Sequence, residues 1–269
     1  MIRLFVGADG TNCDLESQSV LEWSVRKHAS QPVLITWMQQ ASAGPWSCWR
    51  CERGRTPFTH FRWSIPSVCG YDGKAIYCDS DFLFLADIAE LWHQPIPEVG
   101  LVRNPTGKLS TSCILFDCAK AKGHVPDLDA LKKMPDAHST VLNYFRSHIG
   151  LLDPFTGNWD CADIEKDTKG KTDLHDPWIK AIHYTRMEQQ LHLKHAIPRL
   201  KKEGRKHWYV EGGAQVFNHP RQDLQSLFDE LYTEALANGY TLDKYRVEPY
   251  GGAKRREFAY SAHVGEVRA

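Results

Sequence analysis

Apolar residues in this chain fall into short runs separated by longer amphipathic and polar stretches. Leu4-Phe5-Val6, Val33-Leu34-Ile35-Thr36, Ala75-Ile76-Tyr77, Gly100-Leu101-Val102, Cys113-Ile114-Leu115-Phe116 and the stretch Ile179 to Tyr184 are strand-length and rich in branched side chains. Between them lie helical patterns at Leu15 to His28, Phe58 to Val68 and Asp87 to Trp92, the last opening on an acid suited to a helix start. The clearest helical period comes late. Leu224, Leu227, Phe228, Leu231, Tyr232 and Ala235 share one helix face, with Pro220 before it and Gly239 after it. Strands alternating with helices predict an α/β fold with a mainly parallel central sheet flanked by helices. In such sheets ligands bind beyond the carboxyl ends of the strands.

The 269 residues hold 42% hydrophobic and 25% charged residues, the balance of a globular protein. Lys plus Arg and Asp plus Glu each count 33, so the formal net charge is zero. No nucleic-acid partner is expected, because phosphate-driven binding shows as a basic excess. No run approaches the roughly 18 apolar residues of a membrane-spanning helix. The start, Met1 to Asp9, lacks signal-peptide features. A cytoplasmic protein is expected, with room for peripheral contact at the inner membrane face.

The eight cysteines read as free thiols. Cys48-Trp49-Arg50-Cys51 is a lone CxxC without the second pair that a structural zinc site needs. It sits in a Gly-, Pro- and Arg-containing stretch, 40–56, expected to form a long loop. There Trp46 and Trp49 are candidates to stack on a sugar ring, or ordinary half-buried tryptophans. A second irregular stretch spans 153–177.

Candidate chemistry concentrates at Lys74 to Asp81, where a strand ends in Asp79-Ser80-Asp81. Residues i and i+2 of an extended chain point the same way, so both carboxylates can address one hard cation, Mn²⁺ or Mg²⁺. The spacing alone is weak. Asp127-Leu128-Asp129 repeats it where a helix cap is expected, and Asp79 and Asp81 would serve equally as caps of a following helix.

The surrounding residues resemble the family-8 glycosyltransferases, over roughly residues 1–190 with gaps. Ala8-Asp9 follows the first strand, and Arg62 precedes Ile65-Pro66. Asp79-Ser80-Asp81 precedes Asp87-Ile88-Ala89-Glu90-Leu91, and Thr111 to Asp117 stands for an acceptor-side strand. Ile182-His183-Tyr184-Thr185 is similar to a late strand that ends in a metal-binding His.

The resemblance implies a GT-A-type fold with a helical C-terminal extension. It implies catalytic roles for Asp79, Asp81 and Arg62, and metal ligation by Asp79, Asp81 and His183. Ala8, Asp9, Arg62, Ser80 and Arg186 would hold the donor. The implied reaction is transfer of a hexose from a nucleotide-sugar, a UDP-sugar, to a glycan, lipid-linked or other hydroxyl acceptor, with retention. The implied organisation is a catalytic domain over 1–190, with a basic segment and helical extension, 191–269, packed on it.

One departure is evident. The family's Gly-Pro-x-Lys-Pro-Trp after that His has no match; its Lys position falls on Gln189, and Arg186 is the nearest cation. Residue by residue, plainer readings stand alongside. Asp9 turns the chain with Gly10, Arg62 is a solvated charge, His183 is a structural histidine, and Asp160 and Asp163 are loop acids rather than sugar contacts. A nucleotidyltransferase that forms nucleotide-sugars and a non-catalytic nucleotide- or glycan-binding module are the other function classes. The first would carry a basic Gly-rich loop after the first strand, where this chain reads Gly7 to Asn12 without Lys or Arg.

Cations cluster at residues 194–207, with Lys254-Arg255-Arg256 further on. They are a solvated helix face, or a grip on an anionic acceptor or membrane surface.

Overall fold

The computed structural model describes residues 1–49, 51, 54–102, 109–151, 157–162 and 173–248. Asp163 and the Lys254-Arg255-Arg256 cluster lie outside the described residues.

The chain opens with β1 (Ile2–Gly7), α1 (Leu15–His28) and β2 (Val33–Met38), then the single turn α2 (Ile65–Val68), β3 (Lys74–Asp79), β4 (Phe82–Phe84) and α3 (Ile88–Trp92). It continues with β5 (Gly100–Val102), β6 (Cys113–Asp117), α4 (Leu128–Lys132), α5 (Ala137–Phe145), β7 (Ile149–Leu151), β8 (Cys161–Ala162) and β9 (Ala181–His183). Then come α6 (Leu193–Lys202), α7 (Trp208–Glu211) and α8 (Gln222–Ala237), followed by a 3-10 turn, Leu242–Tyr245.

The central sheet has the order β2-β1-β3-β6-β5-β7. Strands β2, β1 and β3 run parallel, as do β5 and β7, while β6 runs against both of its neighbours. Side-chain alternation builds a core on each face. Ile2, Leu4, Val6, Ile76, Cys78 and Leu115 pack on one side with Leu21 and Val25 of α1. Phe5, Ala75, Tyr77, Ile114 and Phe116 face the other way, into an aromatic core with Phe61, Trp63 and Phe145.

A small second sheet, β4-β9-β8, lies beside the first. Its residues Leu83 and Ile182 pack with Tyr184, Leu191 and the α8 face of Leu224, Phe228 and Leu231. The α8 period is therefore read correctly, and Gly239 closes the helix at a φ of +84°. Polar ties fasten this extension to α1: Trp23 donates to Glu234 at 2.8 Å, and Tyr245 donates to Glu22 at 3.1 Å.

Two local expectations differ from the structure. Phe58 to Val68 is not one helix. A 3-10 turn, Phe61–Ser64, runs into α2, where Pro66 lies in the first turn and has no N–H to give. The 40–56 stretch is the expected loop in its described residues, but its tryptophans are not open to solvent. Trp46 and Trp49 are 5% and 2% exposed, both lie against Phe61, and the Trp46 indole donates to the Ser64 hydroxyl at 2.9 Å. Buried so, neither ring is open to stack on a sugar. Cys48 is exposed and Cys51 buried, both free thiols. Among the described residues, no helix is long and apolar enough to cross a membrane.

Candidate metal centre and the cleft around it

Strand register brings the candidate residues together. Gly7 pairs with Asp79, so Ala8-Asp9 and Ser80-Asp81 leave the central sheet at the same edge. After Asp81 the chain does not enter a helix, as a capping role would require, but forms β4. There Phe82 pairs with His183 of β9, and the Tyr184 amide donates to the Asp81 carbonyl at 3.1 Å. The Phe82 ring stacks on the His183 imidazole, 4.4 Å between centres and 17° between planes. His183, about a hundred residues away in sequence, is thereby fixed beside the Asp pair. One ligand atom from each of Asp79, Asp81 and His183 lies within 4.8 Å of the others.

Hydrogen bonding around these residues fits a cation. His183 Nδ1 is 2.8 Å from Asp160 Oδ1, and its Nε2 is 3.3 Å from Asp81 Oδ1. Asp160 also accepts from the Ser110 hydroxyl. A proton on Nδ1, held by Asp160, leaves a lone pair on Nε2 aimed at an Asp81 oxygen that is buried and makes no hydrogen bond. Two facing acceptors repel unless a proton or a metal ion lies between them. With a proton there, His183 is an imidazolium. Burial opposes that charge, but Asp81 and Asp160 outweigh it and hold the His183 pKa well above its ordinary value. With a metal ion, a spacing near 3 Å is what ligands about 2.1 Å from one centre require.

The carboxylates are held from outside. Gln190 donates to Asp81 Oδ2 at 2.8 Å, leaving Oδ1 free. Arg62, 5% exposed, sets one nitrogen 3.0 Å from Asp79 Oδ1. Its remaining nitrogens go to the Thr59 carbonyl at 3.0 Å and to Thr111. Tyr77, two residues before Asp79 on the same strand face, donates to the same oxygen, and its ring lies under the Arg62 guanidinium at 4.7 Å. Burial raises the Asp79 pKa, and the Asp81 charge adds to this; Arg62 pulls it back only in part.

Other residues named from the sequence take plainer places. Ala8 is buried, and its amide donates to Met38 at 3.1 Å. Asp9 is fully buried; its carboxylate accepts from the Thr11 hydroxyl and from the Cys13 amide at 2.8 Å, shaping the turn after β1. Burial, helped by Asp14, pushes the Asp9 pKa up to about 6. Gly10 has no room for a side chain, since a Cβ would stand 2.3 Å from the Gln40 carbonyl oxygen. Ser80 is 5% exposed, its carbonyl accepting from the Ser17 hydroxyl at 2.6 Å. Arg186 is exposed, just before a 3-10 turn, Met187–Gln189. Asp160 is committed to His183 and Ser110.

A narrow cleft of about 30 Å³ opens beside Asp79 and Asp81, with Met187 and Gln190 on one wall and Asp14, His192 and Trp208 on another. These last three belong to a second cluster that the sequence did not signal. Asp14 Oδ1 is 2.9 Å from His192 Nε2 and 2.6 Å from His207 Nε2, and Trp208 donates to its other oxygen at 3.2 Å. The three acid and imidazole groups also lie within 4.8 Å of one another.

The test applied to His183 gives the opposite answer here. His207 Nδ1 accepts the Tyr209 amide at 3.2 Å, so in the neutral ring the proton is on Nε2, where it serves Asp14 and not a metal. Burial would raise the Asp14 pKa, but His207 and His192 beside it hold it well below the carboxylate range. The cluster pins residues 192–208 to the start of α1. Arg199 does the same, bonding Glu16 at 2.7 Å and the Cys13 carbonyl at 2.9 Å.

No family model matches the sequence. Over 92 residues, 33% of this chain, it is 40% identical to Protein CDI of Arabidopsis thaliana, of whose length that match covers 35%. Solved structures are similar over far more of it. The glycosyltransferase GlyE of Streptococcus pneumoniae TIGR4 superposes with a TM-score of 0.56 at 14% identity, over 93% of this chain and 65% of that one. The galactosyltransferase LgtC, in complex with donor and acceptor sugar analogues, gives 0.54 at 11% identity, over 87% and 96%. The bifunctional glycosyltransferase WbbM gives 0.50 at 14%, over 69% of this chain and 46% of that one. The chain has the GT-A-type fold of these glycosyltransferases, as its resemblance to family 8 implied.

Proposed function

We propose that the protein is a glycosyltransferase that moves a hexose from a uridine-diphosphate sugar to a hydroxyl acceptor, with retention of anomeric configuration. The observation that carries this reading is the convergence of Asp79, Asp81 and His183 at a strand edge of a GT-A-type fold. A divalent cation, Mn²⁺ or Mg²⁺, held by these three would act as a Lewis acid toward the leaving diphosphate. The rest is positioning. Asp160 keeps the His183 lone pair turned inward, Gln190 orients Asp81, and Arg62 with Tyr77 holds Asp79. The turn that buried Ala8 and Asp9 form after β1, at the same sheet edge, is assigned to the nucleoside side of the site. Arg186 is the exposed cation on the segment that follows His183, and is assigned to the diphosphate in place of the missing Lys. The ion would supply positive charge where negative charge gathers on a departing β-phosphate.

The test is a panel of nucleotide-sugars, each with and without Mn²⁺, read by thermal shift and by hydrolysis of radiolabelled donor. Metal-dependent stabilisation and slow hydrolysis by at least one donor are expected. Stabilisation without any turnover would favour a binding module, and release of pyrophosphate from a triphosphate would favour a nucleotidyltransferase.

A further inference from the structure

A cavity of about 960 Å³ lies in the C-terminal extension, within the usual size range of small-molecule sites. Its apolar wall is formed by Leu193 and Ile197 of α6, Val210 of α7 and Phe217. Phe217 is 54% exposed, a large ring left facing solvent at a cavity wall. Lys201 and Lys206 also line it and are exposed, and no Asp or Glu is among the described residues that line it. In a chain with zero formal charge, that is local complementarity to an anion.

The cations of this segment are not equivalent. Lys194 is paired with Asp229, Arg199 with Glu16, and Arg205 with Glu203 at 3.0 Å. Much of the positive charge visible in the sequence is therefore already neutralised, and what the cavity offers an incoming anion is chiefly Lys201 and Lys206.

The cavity adjoins the metal cluster. Gln190, which bonds Asp81, lines both this cavity and the narrow cleft. The Phe217 amide donates to the Glu188 carbonyl at 2.7 Å, tying the cavity wall to the segment between His183 and Gln190. A molecule that presents a hydroxyl near Asp81 and extends past Gln190 enters this space.

Resting on the function proposed above, we infer that this cavity seats the acceptor, and that the acceptor has an apolar body and a phosphate or carboxylate held by Lys201 and Lys206. The probe is decyl phosphate, titrated below its micelle concentration into the full-length protein and followed by calorimetry. Saturable binding is expected, with decanol and inorganic phosphate each at least about tenfold weaker, because neither satisfies both the apolar wall and the cations. The exposed-site variants Lys201→Glu/Lys206→Glu and Phe217→Ser should each weaken decyl phosphate binding by about tenfold or more while melting near the parent temperature. Binding unchanged in both variants, or none in the parent, overturns the inference. Nucleotide-sugar hydrolysis by the parent is measured alongside. If the parent hydrolyses donor yet ignores decyl phosphate, this inference alone falls. If it binds decyl phosphate but neither binds nor hydrolyses any nucleotide-sugar, the glycosyltransferase reading falls and the acceptor role goes with it.

Discussion

Asp160 Oδ1 stands 2.8 Å from Nδ1 of His183, a buried carboxylate holding one side of a buried imidazole so that the other side faces Asp81. Metal-binding histidines are commonly held this way, and loss of the outer partner typically costs about 10–100-fold in affinity. Asp160→Ala should therefore weaken Mn²⁺ binding by about that factor, with Asp160→Asn intermediate because the amide oxygen can still accept the Nδ1 proton. Calorimetric titration of Mn²⁺ checks this, and a parent-like affinity in Asp160→Ala would remove Asp160 from the site.

Asp81→Ala should abolish Mn²⁺-dependent binding of uridine diphosphate and lower the melting temperature of the metal-free protein without preventing folding. Without metal, Asp81 faces His183 Nε2 at 3.3 Å and accepts from Gln190 at 2.8 Å, and the variant loses both contacts. Differential scanning calorimetry without metal, beside a uridine diphosphate titration with it, tests both halves. Metal-dependent nucleotide affinity equal to the parent's would falsify the ligand role.

Arg62→Ala strands the partly buried Asp79 carboxylate beside Asp81. Breaking a buried pair from one side costs about 3–5 kcal/mol, so metal-free Arg62→Ala should unfold at markedly lower urea. Saturating Mn²⁺ should restore part of that loss, since a cation at the cluster replaces the missing positive charge. Equal destabilisation with and without Mn²⁺ would show that Arg62 acts only as a packing residue.

Asp9 carries a pH signature. Its folded pKa, about 6, lies above the ordinary value of 3.8 because burial and Asp14 disfavour the anion. A raised carboxylate pKa contributes stability that is full below pH 3.8 and is lost as pH rises through about 6. Asp9→Asn, which stays neutral, lacks that loss. Its stability relative to the parent should climb between pH 4 and 7, by on the order of 3 kcal/mol at most. Urea melts at pH 4, 5, 6 and 7 supply the comparison; a difference that does not change with pH would contradict the assigned burial cost.

What the sequence by itself determined is local. Short apolar runs located β1, β2, β3 and β6, and helical patterns α1 and α8, close to their observed ends, because each depends on which side chains one element can bury. The i, i+2 spacing of Asp79 and Asp81 at a strand end was legible for the same reason, and so was Asp127 as a cap, which accepts the Ala130 amide at 2.8 Å. Resemblance added His183 to the set, though not the means of bringing it there. That rests on the pairing of β4 with β9, and β4 is only three residues long, too short to show a period.

Only the tertiary structure decided what holds the site. Asp160 and Gln190 act on ligands 23 and 109 positions away in sequence, and Asp14 meets His192 and His207 across 178 and 193. No spacing rule spans such intervals, because these contacts are set by how sheets and helices pack after each has formed. The same is true of the charges. Residues 194–207 read as one basic stretch, but folding gave Lys194, Arg199 and Arg205 carboxylate partners and left Lys201 and Lys206 facing a cavity. Arg205 found its partner two residues away, but for Lys194 and Arg199 the pairing distance was fixed by the packing of α6 beside α8 and α1.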